Sequence, residues 1–197
     1  EGPVRGMKPF PETAVERALL LGASYADARF VETEYEEISV KNGKVEALGR
    51  GISRGLGVRA LKDGSWGFSA VNETGENWVL RCANEAVSVA EASSAVKGRD
   101  VVLSPARKAR ASWKSAFRKD PFKTCLEEKI ALLMKADRAM KKAGTIALRE
   151  SDMKCWRTRR TFASSEGSLI EQETTECGAG ISATAISGSD VQRRSFP

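Results

Sequence analysis

The chain has 197 residues, of which 41% are hydrophobic and 29% are charged, enough apolar content for one sizeable domain or two small ones. It contains no histidine, so Ser-His and Cys-His catalytic pairs and histidine metal ligands are excluded within it. No apolar run approaches the roughly 18 residues that indicate a membrane-spanning helix, and no contact with a membrane is expected.

The first hundred residues predict a helix, an antiparallel meander and a second helix. Pro11 suits the first turn of the first helix, and Gly22 suits its end. Asn42-Gly43 and Asp63-Gly64 predict two-residue hairpin turns. Apolar residues three and four apart predict the second helix from about Thr74 to residue 93. The strands are predicted at 25–32, 37–41, 44–48, 58–61 and 66–71.

The second half predicts another helix followed by an antiparallel sheet. Asp120 is expected to be the N-cap of that helix with Pro121 in its first turn, and Gly144 is expected to end it. The strands are predicted at 145–162, 168–176 and 181–187. The fold class is therefore α+β with two lobes, each a mainly antiparallel curved sheet with one or two packed helices.

Three segments follow from this pattern. Residues 10–100 form the N-terminal lobe, residues 101–119 form a basic connector, and residues 120–197 form a second lobe that is expected to be incomplete.

The four cysteines, Cys82, Cys125, Cys155 and Cys177, form no C-x-x-C pair. This spacing excludes a zinc ribbon and argues against a dense disulfide scaffold. We therefore expect isolated buried thiols in a reducing environment. Residues 1–11 resemble no export signal, and a cytoplasmic location is expected.

The net charge of +6 is concentrated in the middle of the chain. Residues 107–160 carry 17 basic and 6 acidic side chains, whereas residues 1–100 carry 13 basic and 15 acidic ones. Basic residues surround Trp113 and Phe117, a mixture that could neutralise phosphates and stack on bases. The same residues could equally form an exposed connector or a surface for an acidic partner. This candidate surface consists of Arg107, Lys108, Arg110, Lys114, Arg118, Lys119 and Lys123.

Two clusters of carboxylates could serve acid–base chemistry or bind a hard cation. They consist of Glu32, Glu34, Glu36 and Glu37, and of Glu171, Glu173 and Glu176. A charged, solvated strand edge explains both clusters more simply. We therefore assign no catalytic and no metal-binding residue in this chain.

Three ordered motifs resemble the TldD/PmbA family, once labelled modulators of DNA gyrase. They are ALLLGASYADARFVE at 18–32, VKNGKVE at 40–46 and GLGVRALKDGSWGFS at 55–69. The turn at Ser165–Gly167 and the helix predicted from Asp120 are also similar to that family. The resemblance covers about residues 12–195 and is weakest in the basic connector.

The resemblance implies a zinc metallopeptidase as the parent protein. Family members are about twice this length and carry His-Glu-x-x-x-His on a helix, whose glutamate is the general base for a zinc-bound water. No such residue can be transferred to a chain without histidine. The expected role is that of an N-terminal, non-catalytic portion, inert alone, whose lobes help form a cleft for unfolded peptides and a homo- or hetero-dimer interface. Such a chain would be a truncated piece, a proteolytic remnant or a natural short protein.

Two other functions remain open. The first is a basic module that binds an acidic protein, or less expectedly a nucleic acid, through residues 107–123. The second is a purely structural assembly domain.

Overall fold

A computed structural model describes residues 9–73 and 75–197. Its helices are α1 (Phe10–Leu20), α2 (Glu76–Ser94) and α3 (Leu126–Lys142). Its strands are β1 (Tyr25–Lys41), β2 (Lys44–Lys62), β3 (Ser65–Val71), β4 (Arg110–Lys114), β5 (Leu148–Ser164), β6 (Leu169–Ser187) and β7 (Asp190–Phe196). Among the described residues, no helix is both long enough and apolar enough to cross a membrane.

The strands form one sheet in the order β3-β2-β1-β5-β6-β4, with β7 also paired to β6. The β2–β3 and β6–β7 pairs are antiparallel, and β4 joins β6 in parallel. Three helices with a mainly antiparallel sheet make an α+β fold, so the predicted fold class is confirmed.

The chain forms two compact units, each assembled from three segments. The first unit comprises the described residues up to Thr33, Ser53–Lys114 and Thr158–Glu173. The second unit comprises Glu34–Ile52, Ser115–Arg157 and Thr174–Pro197. These units interleave along the chain, because the four long strands each contribute to both. The boundaries at 10–100, 101–119 and 120–197 stay a prediction about domain organisation.

Small residues build the core of the first unit. Ala14 and Ala18 of α1 pack with Ala83 and Ala86 of α2 and with alternate residues of β1 and β2. Gly67 of β3 has no room for a side chain, since a Cβ there would lie 2.0 Å from the Ala86 carbonyl oxygen. The absence of side-chain bulk lets α2 lie directly on the sheet.

Larger side chains build the core of the second unit. Leu133 of α3 packs on Ile38 and Val40 of β1 and on Met153 and Cys155 of β5. The two strands present alternate residues to the helix, as a half-buried sheet requires.

Buried ion pairs also hold α3 in the second unit. Lys129 is paired with Glu36, and Arg149 Nε lies 3.1 Å from Asp137 Oδ1. All four side chains are largely buried, so each charge depends on its partner for compensation.

Both predicted hairpin turns are present. Asn42 and Gly43 have φ of 48° and 76°, and Asp63 and Gly64 have φ of 48° and 70°. Two consecutive left-handed residues define a type I′ turn, whose twist matches that of the flanking strands. The sequence signal and the local geometry therefore agree.

The predicted strands differ from the observed ones in length. The strands predicted at 25–32 and 37–41 are one strand, β1, and those at 44–48 and 58–61 are one strand, β2. The same holds for β6, which was predicted as 168–176 and 181–187. The breaks were placed at polar or glycine-rich stretches, but cross-strand pairs such as Arg50–Glu34 keep these stretches extended. β4 and β7 were not predicted.

The predicted start of the third helix is wrong. Its N-cap was placed at Asp120, whereas α3 begins at Leu126 after a short turn. Asp120 Oδ1 accepts a hydrogen bond from the Phe122 amide at 2.9 Å and closes that turn. Its carboxylate also binds Arg157 at 2.5 Å. The second helix begins at Glu76, and its predicted start, Thr74, lies outside the described residues.

Candidate functional site

The helices of the first unit, α1 and α2, pack on one face of its sheet. Alternation along β1 turns Ala26 and Ala28 into the core and places Asp27 and Arg29 on the opposite face. We call this opposite face the open face of the first unit. The residues of the YADAR motif are thereby divided between core and open face.

The open face contains a shallow pocket of about 380 Å³. Gly55 and Gly57 of β2 form part of its lining, and a Cβ on Gly57 would lie 3.2 Å from the Phe68 ring. The glycines therefore keep space beside an aromatic ring that is 59% exposed. The lining residues are Asp27, Arg29, Val31, Gly55, Leu56, Gly57, Arg59, Phe68, Ala70 and Val71.

Asp27 and Arg59 form a tight ion pair in this pocket. Arg59 Nε lies 3.1 Å from each Asp27 oxygen, and Nη2 lies 2.6 Å from Oδ2. These hydrogen bonds raise the pKa of Arg59 against the opposing effect of burial. The guanidinium also stacks over the Trp66 ring at 5.2 Å. Asp27 is thus held in a bidentate ion pair with Arg59.

Tyr25 completes this group. Its ring meets Trp66 edge-on at 5.8 Å. Burial and the neighbouring Asp27 carboxylate raise the pKa of Tyr25 to about 12. Tyr25 therefore remains protonated at neutral pH, and its role here is packing and hydrogen bonding.

Next to the pocket, β3 is the outermost strand of the sheet, and no other described strand pairs with its outer side. Lys62 and Ser65 flank the Asp63-Gly64 turn and form the hydrogen-bonded pair that closes it. From there, hydrogen-bonded and non-hydrogen-bonded residue pairs alternate along β2 and β3. Trp66, Phe68 and Ala70 consequently direct their backbone N–H and C=O groups outward. An extended peptide could add to such an edge through its own main chain.

Charged residues on five neighbouring strands form a ladder across the first unit. Glu32 of β1 lies 2.6 Å from Arg54 of β2 and 2.9 Å from Arg159 of β5. Arg159 also lies 2.9 Å from Glu173 of β6, which lies 2.6 Å from Lys114 of β4. We call these five residues the charge ladder.

The ladder stabilises its carboxylates in the charged form. Burial acts to raise the pKa of Glu32, but hydrogen bonds from Arg54 and Arg159 outweigh it and lower the pKa. Likewise, burial is outweighed at Glu173 by Lys114 and Arg159, and its pKa is lowered. These glutamates are paired structural groups.

The remaining glutamates of the two clusters are also distributed over the structure. Glu34, Glu36 and Glu37 pair with Arg50, Lys129 and Lys154. Glu171 and Glu176 are exposed. Among residues 9–73 and 75–197, no group of three or more carboxylate, cysteine or histidine side chains could hold a metal ion.

The seven basic residues of the candidate binding surface are all exposed. Four of them, up to Lys114, belong to the first unit and three, from Arg118, to the second. Arg110, Lys114 and Lys119 pair with Glu12, Glu173 and Glu128. Their charge is thereby partly neutralised, which reduces what they can offer to an anion.

The second unit has its own groove, of about 690 Å³, beside α3. Apolar side chains such as Leu132 and Met153 line it together with cations such as Lys135, and Cys177 is also part of its wall. The sequence did not predict this groove, because its lining joins the segment before α3 and α3 itself to β5 and β6, which are distant in sequence.

The expectation of isolated buried thiols is wrong. Cys82 and Cys155 are buried, whereas Cys125 and Cys177 are exposed. Cys155 and Cys177 are not isolated, since their Sγ atoms lie 2.8 Å apart.

Comparison with known proteins identifies two domains of one family. Residues 26–92 match the family described as PmbA/TldA metallopeptidase domain 1, and residues 119–197 match the PmbA/TldA metallopeptidase central domain. The chain therefore belongs to the TldD/PmbA family and comprises two of its metallopeptidase domains. The resemblance seen in the sequence motifs is confirmed.

Curated relatives are metalloproteases of greater length. The chain is 28% identical to a metalloprotease from Methanocaldococcus jannaschii over 90% of this chain and 39% of that protein. It is 29% identical to one from Methanothermobacter thermautotrophicus over 85% of this chain and 36% of that protein. The chain thus spans less than half the length of these relatives.

Solved structures share the fold. A candidate modulator of a DNA gyrase from Thermotoga maritima matches with a TM-score of 0.74 at 16% identity, covering 95% of this chain and 41% of that one. TldE from Thermococcus kodakarensis matches with a TM-score of 0.67 at 16% identity, covering 95% and 42%. At this identity the likeness concerns the fold alone.

The metal that the family name implies does not fit the residues at positions 9–73 and 75–197. Zinc in a catalytic site takes three protein ligands from histidine, cysteine and carboxylate side chains. The sequence has no histidine, and the described carboxylates are engaged in pairs or scattered. The described residues therefore provide no site for a catalytic metal.

Proposed function

We propose that this chain is the non-catalytic portion of a TldD/PmbA-like zinc metallopeptidase and that it binds extended, unfolded peptides along β3. The observation that carries the proposal is the outer edge of β3 beside the pocket on the open face. Trp66, Phe68 and Ala70 offer outward backbone groups there, and the pocket offers space for side chains. The catalytic centre would lie elsewhere in the parent protein.

Such a site suits substrates that share a conformation but no sequence. Main-chain hydrogen bonds recognise any extended peptide, whereas a folded protein exposes few free strands. The pocket adds the exposed Phe68 ring and the side chain of Val31 as apolar contacts. Both features favour unfolded chains over folded ones.

The edge can be tested with proline substitutions that remove one outward N–H group. Ala70→Pro should weaken the binding of a fluorescent unfolded peptide about three- to tenfold, the value of one or two lost hydrogen bonds. Fluorescence anisotropy measures the affinity, and circular dichroism checks that the fold is intact.

Ser195→Pro is the matched control. Ser195 pairs with Ser182 at an outward-facing position of β7, a different edge of the sheet. It should leave peptide affinity unchanged. Equal affinity of Ala70→Pro and the unmodified chain, with both folded, would refute the edge site.

The alternative, a basic binding module, is favoured by cations without a carboxylate partner among the described residues, such as Arg107 and Arg118. A salt titration separates the two functions. Nucleic-acid binding should weaken by about a thousandfold between about 50 and 200 mM salt if six or more phosphates are contacted. Peptide binding through main-chain hydrogen bonds should change little.

The chain itself is proposed to be inert as a peptidase. Incubation of the purified chain with an unfolded protein and added zinc should therefore give no cleavage products by mass spectrometry. Products that disappear on addition of a chelator would contradict this part of the proposal and leave the peptide-binding site untouched.

A dimer contact is the last part of the proposal. The β6–β7 hairpin of the second unit exposes apolar side chains, among them Ile186, Val191 and Phe196. A second copy or another family member could cover them. Sedimentation velocity over a range of concentrations should show self-association that Val191→Glu weakens. A monomer at all concentrations would exclude the homodimer.

A further inference from the structure

Cys155 and Cys177 face each other across β5 and β6. Their Sγ atoms lie 2.8 Å apart, and both residues belong to the second unit. The reacting atoms are thus already in contact, which leaves only a small movement before a covalent bond could form.

The strand register explains this contact. The Ser164 amide donates to the Ser168 carbonyl at 3.1 Å, which makes these residues opposite each other at the hairpin end. Cys155 lies nine residues before Ser164, and Cys177 lies nine residues after Ser168. Hydrogen-bonded and non-hydrogen-bonded residue pairs alternate along two antiparallel strands. Because nine is an odd number of residues from the hydrogen-bonded pair, Cys155 and Cys177 form a non-hydrogen-bonded pair, in which Cα atoms are about 4.5 Å apart. That spacing lies within the range of disulfides.

The two thiols differ in their access to solvent. Cys177 is exposed and lines the groove beside α3, so a small molecule can reach its sulfur. Cys155 is only 1% exposed and is buried beneath Cys177. Burial and the neighbouring Cys177 raise the pKa of Cys155 to about 12, so Cys155 is protonated at neutral pH. A small molecule therefore reaches this pair of thiols through Cys177.

We propose that Cys155 and Cys177 form a redox-active dithiol that closes to a disulfide between β5 and β6 when a low-molecular-weight disulfide enters the groove. The Cys177 thiolate attacks one sulfur of that disulfide, whose S–S bond breaks and releases one thiolate. Cys155 then loses its proton to that thiolate, attacks Cys177 Sγ and displaces the second thiolate, which takes up the proton that Cys177 released. The protein gives up two electrons and two protons, and the small disulfide becomes two thiols.

The test uses the Cys125→Ser variant of the whole chain, which removes the other exposed thiol. After incubation with oxidised glutathione, intact-mass spectrometry should show a loss of two hydrogens, about 2 Da, and no lasting glutathione adduct. A digest without reductant should link the peptides that contain Cys155 and Cys177. Reduction should restore the original mass.

The double variant Cys125→Ser/Cys155→Ser is the matched control. It keeps the entry thiol but lacks the one that resolves the mixed disulfide, so it should retain one glutathione on Cys177. A lasting adduct on Cys177 when Cys155 is present would overturn the proposal. So would a linkage of either cysteine to Cys82.

Discussion

At the scale of single residues, Arg59 shows how one side chain can serve packing and charge together. It neutralises Asp27, which is 5% exposed, and it stacks on Trp66. Arg59→Ala would leave the carboxylate buried without its donors and would remove the stacked cation. We expect the free energy of unfolding in urea to fall by about 1–3 kcal/mol.

Arg50→Ala is the control for this prediction. Arg50 is also paired at 2.6 Å, with Glu34, and its side chain is about as exposed as that of Arg59, but the Glu34 carboxylate is 15% exposed against 6% for Asp27. Solvent screening limits such a pair to less than about 1 kcal/mol. A loss at Arg50 as large as that at Arg59 would show that burial of the carboxylate is not the deciding factor.

At the scale of elements, the contact between α2 and β3 depends on Gly67. A Cβ at this position would lie 2.0 Å from the Ala86 oxygen and 2.3 Å from the Ala90 nitrogen, both backbone atoms of α2. Gly67→Ala must therefore push the helix from the sheet, with an expected loss of about 3 kcal/mol or more in urea unfolding.

Gly49→Ala provides the comparison within the same sheet. A Cβ at Gly49 meets no atom within 4 Å. The substitution should change the free energy of unfolding by less than about 1 kcal/mol, with a sign set by backbone entropy. Similar large losses at both positions would mean that glycine itself, and not the space above Gly67, is required.

Local sequence signals predicted which elements are present more accurately than they predicted how long those elements are. The type I′ turns at Asn42-Gly43 and Asp63-Gly64 depend on two residues each, so sequence alone identifies them. The length of β1 depends on partners such as Arg50 for Glu34, which become neighbours only after folding. The start of α3 was misplaced for a related reason, because Asp120 closes a turn and binds Arg157, 37 residues away.

The candidate site was only partly visible in the sequence. The GLGVRALKDGSWGFS motif contains the pocket residues Gly57, Arg59 and Phe68, but the outward edge follows from the sheet order. The cysteine contact had a usable signal, since Cys155 and Cys177 are equally distant from the predicted turn at Ser165–Gly167. The predicted break between the strands at 168–176 and 181–187 begins at Cys177 and hides that symmetry.

At the scale of the whole sheet, the charge ladder connects strands that are far apart in sequence. It runs from Arg54 through Glu32, Arg159 and Glu173 to Lys114. Each carboxylate lies between two cations, so removing one cation leaves the other pair in place. The unit is therefore stabilised by a network and not by isolated pairs, which are worth little on a surface.

The ladder predicts how stability depends on pH. The pKa values of Glu32 and Glu173 are lowered in the folded state below the ordinary glutamate value of 4.5. As the pH falls through that value, the unfolded chain binds protons first, and the stabilisation is lost progressively down to the folded-state pKa values. The free energy of unfolding should therefore decrease with falling pH below about 5.

The double variant Glu32→Gln/Glu173→Gln tests the source of this dependence. It should be less stable than the unmodified chain at pH 7, and its free energy of unfolding should fall less steeply with pH in the acid range, because two titrating groups with lowered pKa values are gone. Glu176→Gln, which removes an exposed carboxylate outside the ladder, should keep the original slope. Urea unfolding at a series of pH values measures both. Equal slopes for the double variant and the unmodified chain would show that the acid sensitivity arises outside the ladder.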